Sequence, residues 1–183
     1  MGNQGLIGVW REKEPLISPK RDEFEQAVRA YGAILYRFAY WLCRDRHLAE
    51  DIVQDACLRA WNAWSDLRDP SQAKVWLMAI VRNEYLRSRS RSRNDLSLDD
   101  VDENQLPQML SFAERLETEE MVSRLPGTYR EPLLLQVLGG FTCAEIAGIL
   151  GTSEGAVMTR LTRARQALRQ RFASANAVRG TGS

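Results

Sequence analysis

The chain has 183 residues, 44% apolar and 27% charged, and 25 Lys and Arg against 24 Asp and Glu leave a formal charge of +1. This is the composition of a globular protein with length for one ordinary domain or two small ones. With 12 Gly, 6 Pro and 3 Cys it is not collagen-like, not a disulfide scaffold and not an acidic disordered chain. No apolar run approaches the roughly 18 to 20 residues that cross a bilayer, and residues 1–20 lack a charged leader followed by an apolar stretch, so a cytoplasmic location is expected.

The first apolar face is Phe24, Val28, Tyr31, Leu35, Phe38 and Leu42, stepping by four and three, which predicts a helix over 22–43. A second helix is expected after Asp45, with Ala49, Ile52, Val53, Ala56, Ala60, Trp61, Trp64 and Leu67 on its inner side. Asp69-Pro70-Ser71-Gln72 reads as the start of a third: an Asp cap, Pro at the first helical position, and Gln where a capping box reaches back. Its core face is Ala73, Trp76, Leu77 and Ile80, and it continues into the Arg/Ser stretch Arg87 to Arg93. Nothing alternates with period two, so no sheet is expected.

From Arg91 to Pro107 the periodicity vanishes into a polar, acidic stretch that reads as a linker between two small helical domains. Capping boxes then recur at Ser111–Glu114, Thr128–Glu131 and Thr142–Glu145, with Gly139-Gly140 and Gly151 as stops. Four helices follow, over about 112–125, 129–138, 143–150 and 154–172, and Asn176 to Ser183 reads as frayed. The expected fold is all-α: an extension at 1–20, a helical domain at 21–92, a linker at 93–111, a second helical domain at 112–174 and a tail at 175–183.

Total charge weighs weakly against nucleic acid, but its distribution does not. Residues 1–73 carry a net of −1, 74–93 +5 with Glu84 as their one acid, 94–120 −8 and 121–183 +5. Arg160, Arg163, Arg165, Arg169 and Arg171 fall within twelve residues. Two basic blocks flank an acidic one, a pattern of partners against the alternative of solvated helix faces.

Residues 143–172 have the layout of a DNA-binding helix-turn-helix: a short helix, a glycine turn and a long basic helix. Ala147 is small where the helices cross, Gly151 suits the turn, and Val157 packs the second helix onto the first. The outer face of that second helix centres on Gly155, Thr159, Thr162, Arg163 and Gln166. Arg163 there offers a fork to guanine or phosphate, and Arg160, Arg165, Arg169 and Arg171 at the sides suit the phosphate backbone. The alternative is an ordinary helical hairpin with a solvated basic face.

Other chemistry has little support. There is no P-loop, G-x-S-x-G or H-E-x-x-H, and no Cys/His pairing in a catalytic context. Cys43, Cys57 and Cys143 are widely spaced in apolar helical patterns and His47 is the one histidine, a poor zinc set that reads as buried structural thiols. Neither enzymatic activity nor a cofactor or metal is expected.

Three stretches in order resemble the extracytoplasmic-function sigma factors of the bacterial sigma-70 family. They are Ala49 to Trp61 (AEDIVQDACLRAW), Trp76 to Asn83 (WLMAIVRN), and Leu125-Pro126 through Arg130-Glu131-Pro132 together with Gly155 to Arg165 (GAVMTRLTRAR). The resemblance implies a subunit that joins core RNA polymerase and directs promoter recognition, −10 melting and initiation. It implies that Asp51, Gln54, Asp55 and Arg59 face the β′ coiled coil of the polymerase, that the second domain meets the β flap, and that Asn83 helps to capture a base flipped from the −10 element. Arg82, Arg87 and Asp69 would line the strand path. Met158, Thr159, Arg160, Thr162, Arg163 and Arg165 would contact the −35 element, with Met158 where relatives carry Arg or Lys, Thr159 for the commoner Ser, and Ala156 for Thr. It further implies an anti-sigma factor, often membrane-tethered, as partner. The competing reading is a free-standing helix-turn-helix regulator whose first helices dimerise or sense a ligand and which binds a palindrome without polymerase.

Overall fold

The computed structural model describes residues 19–92 and 119–180, with side chains over 20–91 and 119–173. The N-terminal extension, the acidic linker, the Ser111 capping box and the first part of the helix expected over 112–125 lie outside them. Three helices form the first half: α1 (Pro19–Cys43), α2 (Arg46–Ala63) and α3 (Ala73–Ser92). A helical stretch at 119–123 leads to the second half, α4 (Gly127–Gly139), α5 (Cys143–Leu150) and α6 (Glu154–Gly180). No strand occurs among the described residues, and none of their helices is long and apolar enough to cross a membrane.

The predicted α1 face is the one buried: Leu35, Phe38 and Leu42 are almost wholly covered, and Phe24 meets Trp61 and Trp64 edge-on at 5.3 and 5.2 Å between ring centroids. Asp45 caps α2 by accepting the Leu48 N–H at 2.9 Å. Val53 is half-buried and Trp61 is exposed at the rim of the inner face assigned to them. The start of α3 differs in detail from expectation. Asp69 caps a 3₁₀ turn, Pro70–Gln72, by accepting from the Ser71 N–H and hydroxyl at 2.9 and 2.8 Å, and the α-helix begins only at Ala73. Met78, Val81 and Tyr85 are buried alongside Leu77. α3 is thus covered on two sides, by α1 and α2 on one and by α5 on the other, which is why it lacks a single clean stripe.

In the second half the Thr142 box forms as expected. Thr142 Oγ1 accepts the Glu145 N–H at 3.2 Å, and the Glu145 carboxylate accepts from the Thr142 N–H and hydroxyl, both at 2.8 Å. These bonds hold the Glu145 carboxyl below the usual carboxylate range. The Thr128 box does not form: α4 begins at Gly127 with Pro126 in the cap position and no side-chain cap, and the Glu131 carboxylate turns to Arg82 instead. An uncommitted tertiary cation outcompetes a local N–H here. The last helix runs on to Gly180, past the expected end at 172, because no breaker interrupts Ala173, Ala175 and Ala177.

The two halves touch along a seam, α1 against α4 and α3 against α5. Arg44 pairs with Glu119 at 2.9 Å and Arg82 with Glu131 at 2.7 Å. Lys74 donates to the Gly139 carbonyl at 2.6 Å and lies 4.8 Å above the centre of the Phe141 ring. Arg44 is the one described non-glycine residue at positive φ, 60°, a conformation that costs energy without a Gly. Its guanidinium stacks on Trp41 and Tyr40, 5.0 and 5.4 Å from their centroids, which offsets that strain.

Gly139 sits where the seam and the second core meet. A Cβ built there would lie 2.3 Å from the buried Phe141 ring, which Lys74 covers from the other side. Gly139→Ala is expected to destabilise the protein by about 1–3 kcal/mol through overpacking, read as a lowered midpoint in denaturant; an unchanged midpoint would show that the ring has room to move.

Candidate nucleic-acid interface

The helix-turn-helix is assembled from α5, the turn at Gly151 and α6. Gly151 adopts φ 62°, and the chain reverses through Gly151 N–H to Gly148 carbonyl at 3.4 Å and Thr152 N–H to Ala147 carbonyl at 3.0 Å. A side chain at that φ is strained, so the glycine is what lets the turn be this short. Ser153 starts α6 by accepting the Ala156 N–H at 3.2 Å. Ala147, Val157, Leu161 and Ala164 are buried, the inner face that their spacing predicts.

The opposite face, Gly155, Met158, Thr159, Thr162, Arg163 and Gln166, is exposed. Two of its hydroxyls are turned back on the helix: Thr159 donates to the Gly155 carbonyl and Thr162 to the Met158 carbonyl, each at 2.9 Å. Their methyl groups and the Met158 side chain therefore give this surface an apolar component suited to a thymine methyl. Among the described residues Arg163 reaches the Tyr129 hydroxyl alone, at 3.4 Å, whereas Arg165 is held by the Gln136 side-chain oxygen at 2.5 Å. Arg160 is half-buried at the side of the helix and Arg169 is exposed. Arg171, read from the sequence as suited to the phosphate backbone, donates to the carbonyls of Met121 and Arg124 at 3.2 and 3.3 Å, tying α6 to the end of the 119–123 helical stretch.

In the first half, α2 and α3 enclose an open cavity of about 420 Å³ lined by Arg59, Trp76, Ile80, Asn83, Glu84 and Arg87. Asn83 is exposed at its edge, and Trp76 is half-buried, packed edge-on against Trp64 at 5.8 Å while one side faces the cavity. Asn83 and Arg87 thus come together as expected. The other two strand candidates do not join them. Arg82 points across the seam to Glu131, and Asp69 is occupied as a helix cap, its carboxyl held below the ordinary range by the Ser71 hydroxyl and N–H.

A second cavity, of about 360 Å³, borders Asp51, Gln54 and Asp55 on the exposed side of α2, with Ser88 and Arg91 on α3. Arg59 departs from this group: it pairs with Glu84 at 2.5 Å rather than with Asp55 one turn before it. Glu84 was missed by sequence reasoning as a partner of these arginines, although it is the lone acid in a basic segment, and that isolation is the signal that marks it.

Cys43 and Cys57 are half-buried, and burial pushes both thiols up, Cys43 to about 11; Cys143 is half-buried as well. Among the described residues no group of three or more His, Cys, Asp or Glu is placed to hold a metal ion.

Known proteins share this arrangement. Residues 27–94 match sigma-70 region 2 and residues 115–168 match sigma-70 region 4. The ECF RNA polymerase sigma factor SigL of Mycobacterium tuberculosis is 33% identical over 146 residues, covering 76% of this chain and 82% of that protein. A probable RNA polymerase sigma factor, RfaY, of Xanthomonas campestris pv. campestris is 35% identical over 166 residues, covering 79% of this chain but 42% of the longer relative. Among solved structures, the sigma factor RpoE of Bartonella quintana, in complex with the anti-sigma factor NepR, superposes with a TM-score of 0.72 at 28% identity, covering 81% of this chain and 96% of that one. A region 2 bundle followed by a region 4 helix-turn-helix, at this identity and coverage, places the chain in the extracytoplasmic-function group of the sigma-70 family of RNA polymerase sigma factors.

Proposed function

We propose that this sigma factor meets core polymerase through the exposed α2 surface of Asp51, Gln54 and Asp55, opens the −10 element at the Asn83 cavity, and reads the −35 duplex with the outer face of α6. The carrying observation is that the cavity combines an exposed amide, an aromatic wall and an arginine at its mouth. Asn83 offers both a donor and an acceptor to a base edge, Trp76 an apolar face, and Arg87 a cation for the adjoining phosphate. Extruding a base costs a few kcal/mol, which such contacts offset most readily once the strand is already single. On α6, Met158, Thr159, Thr162 and Arg163 would face base edges, with Arg160 and Arg165 on the flanking backbone. No catalytic chemistry is assigned to the chain, and no cofactor is needed for these steps.

An anti-sigma factor is the partner proposed for the inactive state. The related RpoE structure holds one, and the division into two halves gives an inhibitor two surfaces to occupy together. Tethering of that partner to a membrane, and the cytoplasmic location of the sigma factor, belong to the same proposal.

The test is transcription by core polymerase reconstituted with the purified chain. Start sites should share one upstream pair of elements, and Asn83→Ala is expected to slow open-complex formation on linear template about tenfold and to weaken binding of a premelted template as well, since the contacts to the base edge are lost on both. Failure of the wild-type chain to bind core polymerase would overturn the whole reading. A tight complex with palindromic duplex in the absence of polymerase would favour the free-standing regulator.

A further inference from the structure

Glu84 is the one buried charged residue among those described, 3% exposed, and it forms part of the wall of the Asn83 cavity and of the cavity beside Asp51, Gln54 and Asp55. A single oxygen, Oε1, accepts from Arg59 Nε of α2 at 2.5 Å and from Arg87 Nη1, one turn along α3, at 2.9 Å. Both arginine side chains remain about half exposed, 51% each, while the Glu84 side chain between them is hidden. The negative charge is therefore screened from an approaching phosphate while the cationic tips stay at the surface.

Resting on the strand-binding reading above, we propose that Glu84 is a positioning residue that sets Arg87 at the mouth of the Asn83 cavity and links its placement to Arg59 on the polymerase-facing helix. A carboxylate oxygen has two lone pairs, and here the two guanidinium groups take up both on the same atom. Any movement of Arg59, whose helix carries the Asp51, Gln54 and Asp55 surface, alters the hold on Arg87. Each bond is charge-assisted and directional, so the carboxylate selects one placement of a side chain that would otherwise sample several. An ordinary ion triad that only pins α2 to α3 makes a different prediction, because it acts on folding and not on strand affinity at fixed stability.

The experiment uses reconstituted holoenzyme and a dye-labelled, premelted duplex of a promoter taken from mapped start sites, read by fluorescence anisotropy. Arg87→Ala and Glu84→Gln are each expected to weaken binding about tenfold, and the double variant no more than Arg87→Ala alone, because Glu84 acts through Arg87. Arg87→Lys keeps a charge for the phosphate but loses the fork that Glu84 orients, and is expected to bind more weakly than wild type and better than Arg87→Ala. That variant lies at the surface and does not depend on Glu84→Gln folding, which thermal denaturation monitors. Wild-type affinity in Glu84→Gln, wild-type affinity in Arg87→Lys, or losses that multiply in the double variant would each overturn the positioning role. If Asn83→Ala also binds like wild type, the strand reading itself fails; a defect in Asn83→Ala beside a normal Glu84→Gln removes only the coupling.

Discussion

Alanine in place of Arg163 is expected to cut specific transcription by roughly 5- to 150-fold, the size of one bidentate base contact worth about 1–3 kcal/mol. The reason is its freedom. Among the described residues its hydrogen bond is a long one, 3.4 Å to the Tyr129 hydroxyl, so the fork can turn to DNA without breaking a strong bond. Arg165 is different, because its 2.5 Å bond to Gln136 already orients it at the side of the helix. Arg165→Ala should therefore weaken all −35 sequences alike and lower the salt dependence, whereas Arg163→Ala should flatten the preference at one base position. Arg163→Lys separates the two possibilities for Arg163 itself, since an ammonium can hold a phosphate but cannot reproduce the fork. Binding of duplexes varied one position at a time, measured at two salt concentrations, reads out all three; unchanged preference in Arg163→Ala would remove it from base readout.

Reversing the charge of Glu131 is expected to part the two halves. Arg82 and Glu131 are 19% and 14% exposed, so the pair is poorly screened by solvent, and Glu131→Lys would place two cations against each other at a cost of about 3 kcal/mol or more. Against that the seam keeps the Arg44–Glu119 pair and the Lys74 contacts, while Trp41 Nε1, Arg44 Nη1 and Arg130 Nε are buried along it with no hydrogen-bond partner among the described residues. Each half has its own buried residues, Phe38 and Leu77 in one and Ile146 and Leu161 in the other, so helicity should survive while the radius of gyration in small-angle scattering rises. The paired exchange Arg82→Glu with Glu131→Lys should restore the compact form. An unchanged radius in Glu131→Lys would show that the apolar contacts suffice.

Helices, caps and the glycine turn are legible in the amino-acid sequence, because each depends on residues no more than about four positions apart. The stepping of Phe24 to Leu42, the Asp45 cap, the Thr142 box and Gly151 are of this kind, and the family resemblance rests on the same short stretches. Local spacing misleads where a distant residue enters. Thr128 and Glu131 have capping-box spacing, yet the Glu131 carboxylate lies beside Arg82, 49 positions away, and a charge-assisted bond replaces the local one. Arg171 counts in the sequence as one more basic group on a DNA-facing helix, but the fold turns it onto the carbonyls of Met121 and Arg124.

The sequence by itself determined an all-helical chain with a basic helix-turn-helix and a basic third helix, since periodicity, capping and backbone freedom act locally. Only the tertiary structure decided which charges remain available. Arg163 faces outward, Arg59 and Arg87 are half exposed and share Glu84, and Arg82 and Arg171 are turned to partners within the protein. An ion pair depends on distance in space, and Arg44 with Glu119, 75 positions apart, meets nowhere except in the folded chain.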